Sequence, residues 1–153
     1  MLRTATVAAI TLVGLAICAA PQEKKIKRSE LPAAVQATVT AQSQGATVHG
    51  FSQEKENGQT YYEAELEVGG HSKDVLIDPQ GNIVEVEEEV AVAALPAAVR
   101  DGLQTKGAGG KLVKVESLTK QGKLVAYEAQ VITKGKKSEI QVGPDGKPLD
   151  HQQ

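Results

Sequence analysis

The pentapeptide Leu31-Pro32-Ala33-Ala34-Val35 occurs again 64 positions later as Leu95-Pro96-Ala97-Ala98-Val99. Further matches follow both copies in the same order: Asn57-Gly58 with Gln121-Gly122, Tyr62-Glu63-Ala64 with Tyr127-Glu128-Ala129, and Asp78-Pro79-Gln80-Gly81 with Gly143-Pro144-Asp145-Gly146. The later matches are offset by 65 positions, so the second copy carries one inserted residue. A repeat of this length predicts two copies of one small unit, residues 30–89 and 95–150, with a linker at 90–94 and a tail at 151–153.

Residues 1–20 predict a secretory signal peptide. One base, Arg3, precedes an apolar run from Ala5 to Ala20 that is too short to span a bilayer. We therefore expect an exported protein, periplasmic or secreted, whose mature chain has no membrane span. Four bases follow in residues 21–29 and bases on that side slow export, so an uncleaved N-terminal anchor is the alternative. We expect residues 21–29 to form a flexible, solvated basic leader.

Composition argues against several classes of function. The only cysteine, Cys18, lies in the signal peptide, so the mature chain has no disulfide, thiol nucleophile or cysteine metal site. One Phe, three Tyr and no Trp offer few rings for stacking on nucleic-acid bases or sugars. There is no nucleophile–histidine–acid pattern or phosphate-binding glycine loop, and His49, His71 and His151 are not at metal-ligand spacing. The sequence predicts a protein that is not an enzyme, holds no cofactor and binds no nucleic acid.

Charge is divided unequally between the two copies. Residues 30–89 contain 12 acidic and 2 basic residues, a net charge of −10, whereas residues 95–153 contain 10 basic and 6 acidic residues, a net charge of +4. The first unit is therefore acidic and the second basic. Salt-dependent pairing of unlike units between two chains is one hypothesis that follows, and the sequence leaves the oligomeric state open.

Each unit begins with a predicted amphipathic helix. Pro32 and Pro96 suit a first helical turn, and apolar residues recur at helical spacing from Leu31 to Val39. The first helix is predicted to end near Gly45. The glycines at 107 and 109–110 predict a second helix that is shorter or frayed.

The segment after each helix predicts an antiparallel meander. Two-residue turns at Asn57-Gly58 and Gly69-Gly70 and a loop at 79–82 pair His49 with Leu66 and place one set of apolar residues on a common face. That set is Tyr62, Ala64, Leu66, Val75, Ile77, Val84 and Val86. In the second unit a three-residue loop at 121–123 pairs Val113 with Val131 and Val115 with Ala129. The predicted fold class is α+β: two tandem repeats, each one helix packed on an antiparallel three- to four-stranded meander sheet, joined or separate.

The order of these motifs resembles the PepSY-like domain family, which is grouped with proteins similar in fold to the β-lactamase inhibitor protein. The resemblance covers residues 29–150 as two copies and rests on the Leu-Pro-Ala-Ala-Val helix starts, the Tyr-Glu-Ala strands and the Asp-Pro-Gln-Gly-Asn turn. It implies an exported bacterial protein without catalytic activity, and the family names imply inhibition of a peptidase or a β-lactamase. The second copy departs from the pattern, with Gly143 in place of the turn aspartate.

The predicted register places acidic side chains on the sheet face away from the helices, which we call the outer face. Glu65, Asp74 and Glu87 are predicted to lie side by side on three strands, although like charges directly opposite are unfavourable. Three interpretations are open: a solvated face, a contact face for a basic partner, or a Ca²⁺ site on these three residues. The candidate binding residues are Glu63, Glu65, Glu67, Asp74, Glu85 and Glu87. The cluster is predicted to belong to the first unit alone.

Apolar side chains are also predicted on the outer face. The candidate contact residues are Tyr61, Leu76 and Ile83, and in the second unit Leu112, Leu118 and Ile132 point the same way. Exposed apolar groups rimmed by charge often mark contact surfaces. The function predicted from this face is binding of a protein partner, with inhibition of a secreted or periplasmic hydrolase as the leading hypothesis. The alternative is a periplasmic cation-binding, structural or sensory module.

Overall fold

The computed structural model describes residues 22–56 and 58–153. The predicted signal peptide, residues 1–20, and Asn57 of the first predicted turn lie outside the described residues. All described strands belong to one antiparallel sheet of eight strands in sequence order, and two helices pack on it. The strands are β1 (Gln22–Ile26), β2 (Thr47–Glu56), β3 (Gln59–Val68), β4 (His71–Ile77), β5 (Ile83–Glu89), β6 (Lys111–Lys120), β7 (Lys123–Thr133) and β8 (Lys136–Val142). The helices are α1 (Ala33–Gln42) and α2 (Ala97–Lys106).

This architecture confirms the predicted α+β class and answers the question of sheet continuity. Strands β5 and β6 pair from Glu85 with Lys120 to Glu89 with Glu116, so the two units share one sheet. The predicted linker holds a 3₁₀ turn at Val92–Ala94. The expectation of a flexible leader is wrong for Gln22–Ile26, because these residues form β1 and pair with β2.

The two helices are equivalent. Each has ten residues and begins directly after its proline. The prediction of a shorter second helix is wrong: Gly107 lies at the C-cap of α2, where its N–H donates to the Leu103 carbonyl at 2.8 Å, and the glycines beyond it lie outside the helix. Val35 and Val39 of α1, and Val99 and Leu103 of α2, are at most 1% exposed. They form two aliphatic cores on one sheet face.

Most predicted strand pairs are confirmed. Ala64 pairs with Phe51 and with Val75, and Val75 pairs with Val86, as the turn chemistry predicts. In the second unit Ala129 pairs with both Val115 and Ile140. The inner, helix-covered face is therefore the one that alternation in the sequence indicates.

The same β-bulge in both units overturns two predicted pairs. Leu66 pairs with Val48, because the register shifts between Val48 and Gly50 and leaves His49 exposed. At the corresponding place in the second unit Val131 pairs with Leu112, and Val113 is 47% exposed. A bulge inserts one residue into one strand and reverses the facing of everything before it. Leu112 consequently packs against the second core, contrary to its predicted outward direction.

Two other irregularities correct the predicted loops. Lys120 pairs with Lys123 across a two-residue turn, so the inserted residue lies inside β7, in the register shift that follows Leu118, and not in a three-residue loop. Ile77 pairs with Ile83 instead of Val84, because the register shifts after Leu76. Ile83 therefore packs against the first core and is not an outer-face residue.

The repeated motifs contact each other. The loop between β4 and β5 lies against the start of α1, where a Cβ placed on Gly81 would be 2.8 Å from the Ala34 carbonyl oxygen. Gly146, in the corresponding turn, lies against the Ala98 carbonyl at the start of α2. The helix start and the glycine turn therefore recur together because they form one packing contact. Among residues 22–56 and 58–153, no helix is long and apolar enough to cross a membrane.

Candidate functional site

The outer face of the sheet is not covered by either helix, and it carries the predicted acidic residues. Alternation along β3, β4 and β5 brings all six to this face, since their sequence neighbours Ala64, Val75 and Val86 pack with the first core. The predicted row is confirmed: Glu65 pairs with Asp74, and Asp74 pairs with Glu87. All six predicted residues therefore lie on the outer face: Glu63, Glu65, Glu67, Asp74, Glu85 and Glu87.

The tightest carboxylate group crosses the junction between the two units. One carboxylate oxygen from each of Asp74, Glu87 and Glu116 lies within 4.8 Å of the others. Glu116 comes from β6 and is buried, at 5% exposure. The prediction that the cluster belongs to the first unit alone is therefore wrong. These three are also the residues that could hold a cation, whereas Glu65 of the predicted metal row faces Lys25 at 3.4 Å.

Bases neutralise the rim of this acidic cluster and not its centre. Lys25 pairs with Glu65, Lys120 with Glu85 at 3.2 Å, Lys114 with Glu116 at 2.6 Å, and His49 Nε2 lies 3.2 Å from Glu67. Among the described residues, no Lys, Arg or His nitrogen lies within 4.0 Å of a carboxylate of the remaining three acids. Those three, which we call the central acids, are Glu63, Asp74 and Glu87.

The pKa values of the central acids are all raised. Burial, with the charge of Glu116 next, raises the pKa of Glu87 to about 8. Burial, with the charge of Glu63 next, raises that of Asp74 to about 6. Burial and the nearby Glu54 raise the pKa of Glu63 to about 7, although the Ser52 hydroxyl donates to it at 3.0 Å. Desolvation and like charge both disfavour a carboxylate anion, so the folded chain holds these protons more tightly than an unfolded chain does.

A depression of about 130 Å³ lies over the central acids. Its lining residues are Glu54, Glu63, Asp74, Leu76, Glu85 and Glu87. The depression is acidic with one apolar wall, and it lies on the first-unit side of the junction with β6. Its chemistry fits a cationic head group carried on an apolar stem, such as a lysine or arginine side chain.

The six apolar residues predicted on this face differ in where the structure places them. Leu76 lines the depression, and Tyr61 lies on the same face at the end of the sheet. Leu118 also lies on the outer face, paired with Ala126, but it is only 1% exposed and offers no contact area. Ile83 and Leu112 belong to the inner face, as described above. Ile132 is half-buried.

Sequence reasoning missed three polar residues of the site. Glu116, Glu128 and Ser52 lie on the outer face, and the pKa of Glu128 is raised by burial although a hydrogen bond from Gln141 opposes this. The pairing of β5 with β6 brings Glu116 beside Glu87, and no turn chemistry indicates that pairing. Gly50 was the signal for the bulge that exposes His49, since glycine inside a strand often marks one.

Solved structures share this fold. No protein-family model matches the chain, and no curated protein matches it. A protein described as periplasmic from Bacteroides eggerthii is 21% identical, with a TM-score of 0.64 over 80% of this chain and 88% of its own. A BLIP-like protein from Bacteroides fragilis is 22% identical, with a TM-score of 0.58 over 78% of this chain and 83% of its own.

A third structure extends the same likeness. A DUF2874 family protein from Bacteroides uniformis is 22% identical, with a TM-score of 0.60 over 76% of this chain and 84% of its own. At these identities the comparisons show the fold, which is BLIP-like. They confirm that part of the expected resemblance and do not bear on the PepSY-like assignment in particular.

Proposed function

We propose that the protein is an exported, non-catalytic binding protein of the PepSY-like group that docks another exported protein on its outer face. The observation that carries the proposal is the set of central acids, Glu63, Asp74 and Glu87, which have no basic partner among residues 22–56 and 58–153 and lie on a face that neither α1 nor α2 covers. Periplasmic proteins among the structures of like fold support the compartment.

The central acids favour a partner that contributes a lysine or arginine. A basic side chain entering the depression would form charge-assisted hydrogen bonds with carboxylates that otherwise repel each other. It would also lower their pKa values toward the usual range, so complex formation releases protons at neutral pH. Leu76 supplies an apolar wall for the stem of that side chain. The net charge of −10 on the first unit steers such a partner toward this face.

The proposal is tested by a pull-down in which the mature chain, residues 21–153, is the immobilised bait. Periplasmic and secreted extracts are applied to it at low and at moderate salt. We expect a protein that is retained at low salt and released at moderate salt. The double variant Glu63→Gln with Asp74→Asn, which changes two of the central acids, should lose it. This variant removes repulsion, so loss of capture will not come from unfolding.

A matched control removes the same amount of charge elsewhere. Glu23 and Asp101 are exposed, on β1 and α2, and the double variant Glu23→Gln with Asp101→Asn should retain the partner. Equal retention by both double variants would contradict the outer face as the docking surface. If the retained protein is a hydrolase, its activity with and without the chain tests inhibition, the role that the BLIP-like fold suggests.

A second candidate function is cation binding, which the spacing of carboxylate oxygens favours. Asp74, Glu87 and Glu116 offer three oxygens within 4.8 Å of one another, and hard cations such as Ca²⁺ take clustered carboxylates. If this function holds, Ca²⁺ raises the melting temperature of the wild-type chain and not that of Glu87→Gln. An unchanged melting temperature with Ca²⁺ in millimolar excess would contradict it.

A further inference from the structure

A second cleft, distinct from the acidic depression, lies at one end of the sheet. It forms where the start of β3, the loop after β4 and the turn between β6 and β7 meet, and its volume is about 470 Å³. Ligand pockets for small molecules typically measure about 300–1,000 Å³. We propose that this cleft, called the end cleft below, binds a neutral saccharide.

The end cleft belongs to the junction of the two units. The register shift after Leu76 leaves Val84 as an extra residue in β5, and the Val84 carbonyl accepts a hydrogen bond from the Gln121 N–H at 3.0 Å. This contact fixes the turn of the second unit beside the loop of the first. Val84 and Gln121 both line the cleft, so neither unit alone provides it.

The lining is polar, and the one acidic side chain in it already has hydrogen-bond partners. Asp78 is its only ionisable acid, and this carboxylate accepts from the backbone N–H groups of Gln80 and Asn82 and from the Asn82 amide, each at 2.9 Å. Those hydrogen bonds lower its pKa and occupy its oxygens. An anionic ligand would meet the negative charge of Asp78, and a cationic ligand would have to compete with the three N–H donors that this carboxylate already holds. The end cleft therefore selects neutral ligands, in contrast to the acidic depression.

The remaining polar groups match the hydroxyl groups of a sugar. Gln59, Gln80 and Gln121 contribute amides, and Thr60 contributes a hydroxyl. An amide both donates and accepts, as each sugar hydroxyl does, so such pairs satisfy both partners. The Tyr61 hydroxyl donates to the side-chain oxygen Oε1 of Gln59, so the donor that this amide offers to a ligand is its NH₂ group.

Tyr61 supplies the ring on which a sugar would stack. The chain has only four aromatic residues, and Phe51, Tyr62 and Tyr127 pack with the two cores. Tyr61 is the fourth, and it lines the end cleft. The corresponding residue of the second unit is Ala126, so the platform occurs once. The scarcity of rings that argued against sugar binding in general therefore does not apply to this position.

The test is a titration of the mature chain with maltose, cellobiose and N,N′-diacetylchitobiose, followed by amide chemical shifts. We expect shifts confined to the end cleft, and about fivefold weaker binding in Tyr61→Ala, because one stacked ring contributes about 1 kcal/mol. Gln121→Ala, at an exposed turn, should weaken binding without any change in folding. Gln44→Ala, an exposed glutamine outside the cleft, is the matched control and should bind as the wild type does.

Two results would overturn the inference. One is the absence of any shift at the end cleft with all three disaccharides at tens of millimolar. The other is binding that neither Tyr61→Ala nor Gln121→Ala weakens. Neither result bears on the outer-face acids, so the saccharide site and the protein-docking function succeed or fail separately.

Discussion

Among the central acids, Glu87 has the most raised pKa and therefore the largest effect on how the free energy of unfolding changes with pH. Its carboxylate, like those of Asp74 and Glu63, has a folded pKa above the unfolded value of 3.8 or 4.5. The native state therefore binds more protons than the unfolded state between about pH 4 and pH 8, and the free energy of unfolding falls as pH rises through that window.

We expect Glu87→Gln to stabilise the chain at pH 8 and to have little effect at pH 5, where the native carboxyl is already protonated. The gain at pH 8 should be about 1–2 kcal/mol after allowance for solvent screening, measured by urea unfolding. Glu88→Gln is the matched control, since Glu88 lies on the inner face with Lys73 at 2.9 Å, and it should be neutral or destabilising at both pH values. Equal effects of Glu87→Gln at both pH values would contradict the raised pKa.

Gly81 tests the contact between the repeated motifs. Gly81 has φ +88° and abuts the Ala34 carbonyl, whereas Gly69 has φ +61° and no heavy atom within 4 Å of an added Cβ. Gly69→Ala should cost about 1 kcal/mol through backbone conformation alone. Gly81→Ala should cost about 2–4 kcal/mol, because steric overlap is added. Equal losses in thermal unfolding would show that α1 yields to the added methyl group.

At the level of elements, the bulges in β2 and β6 cannot be predicted from the alternation of apolar and polar residues alone. Strict alternation predicts that Val113 faces the core, and the bulge exposes it instead. The same alternation succeeds for β3, β4 and β8, whereas β7 contains an extra residue after its turn with β6. The extra residue in a bulge carries no turn signal, so only packing decides which side chain is left out.

Val113→Lys and Val115→Lys distinguish the bulged register from the alternating one. Val113 is 47% exposed, and we expect the lysine there to change the free energy of unfolding by less than about 0.5 kcal/mol. Val115 is 1% exposed, and a lysine there buries an unpaired charge and should unfold the chain. Thermal unfolding followed by circular dichroism measures the stability of both variants. Comparable destabilisation by the two variants would favour the alternating register.

At the scale of the whole molecule, the pairing of β5 with β6 joins two cores that do not otherwise share residues. Each unit alone is too small to bury a large fraction of its surface, so we expect the units to unfold together. The two units and their helices were predictable from the repeat. The pairing of β5 with β6 was not predictable, because no short turn connects these strands and α2 intervenes. The acidic group around Glu116 and the end cleft both depend on this pairing, which is why neither was predicted.

Val35→Ala and Val99→Ala test this coupling, since each removes two methyl groups from a fully buried site in a different core. Each should cost about 1.5–3 kcal/mol and shift one common transition. In the Val35→Ala variant, the NMR signals of Tyr127, in the second core, should be lost at the same denaturant concentration as the far-ultraviolet circular dichroism signal. Two separate transitions in either variant would show that the units unfold independently.

The contact between helix start and glycine turn also provides a means of finding distant relatives. Ala34 and Gly81 lie 47 positions apart, and Ala98 and Gly146 lie 48 apart, although little else between them is identical. In each pair the glycine lies against the backbone carbonyl at the helix start, so the turn position excludes any side chain. A search pattern built on a proline-initiated helix with alanine, followed at that distance by a proline–glycine turn, would detect further copies of the unit where overall identity has fallen too low for recognition.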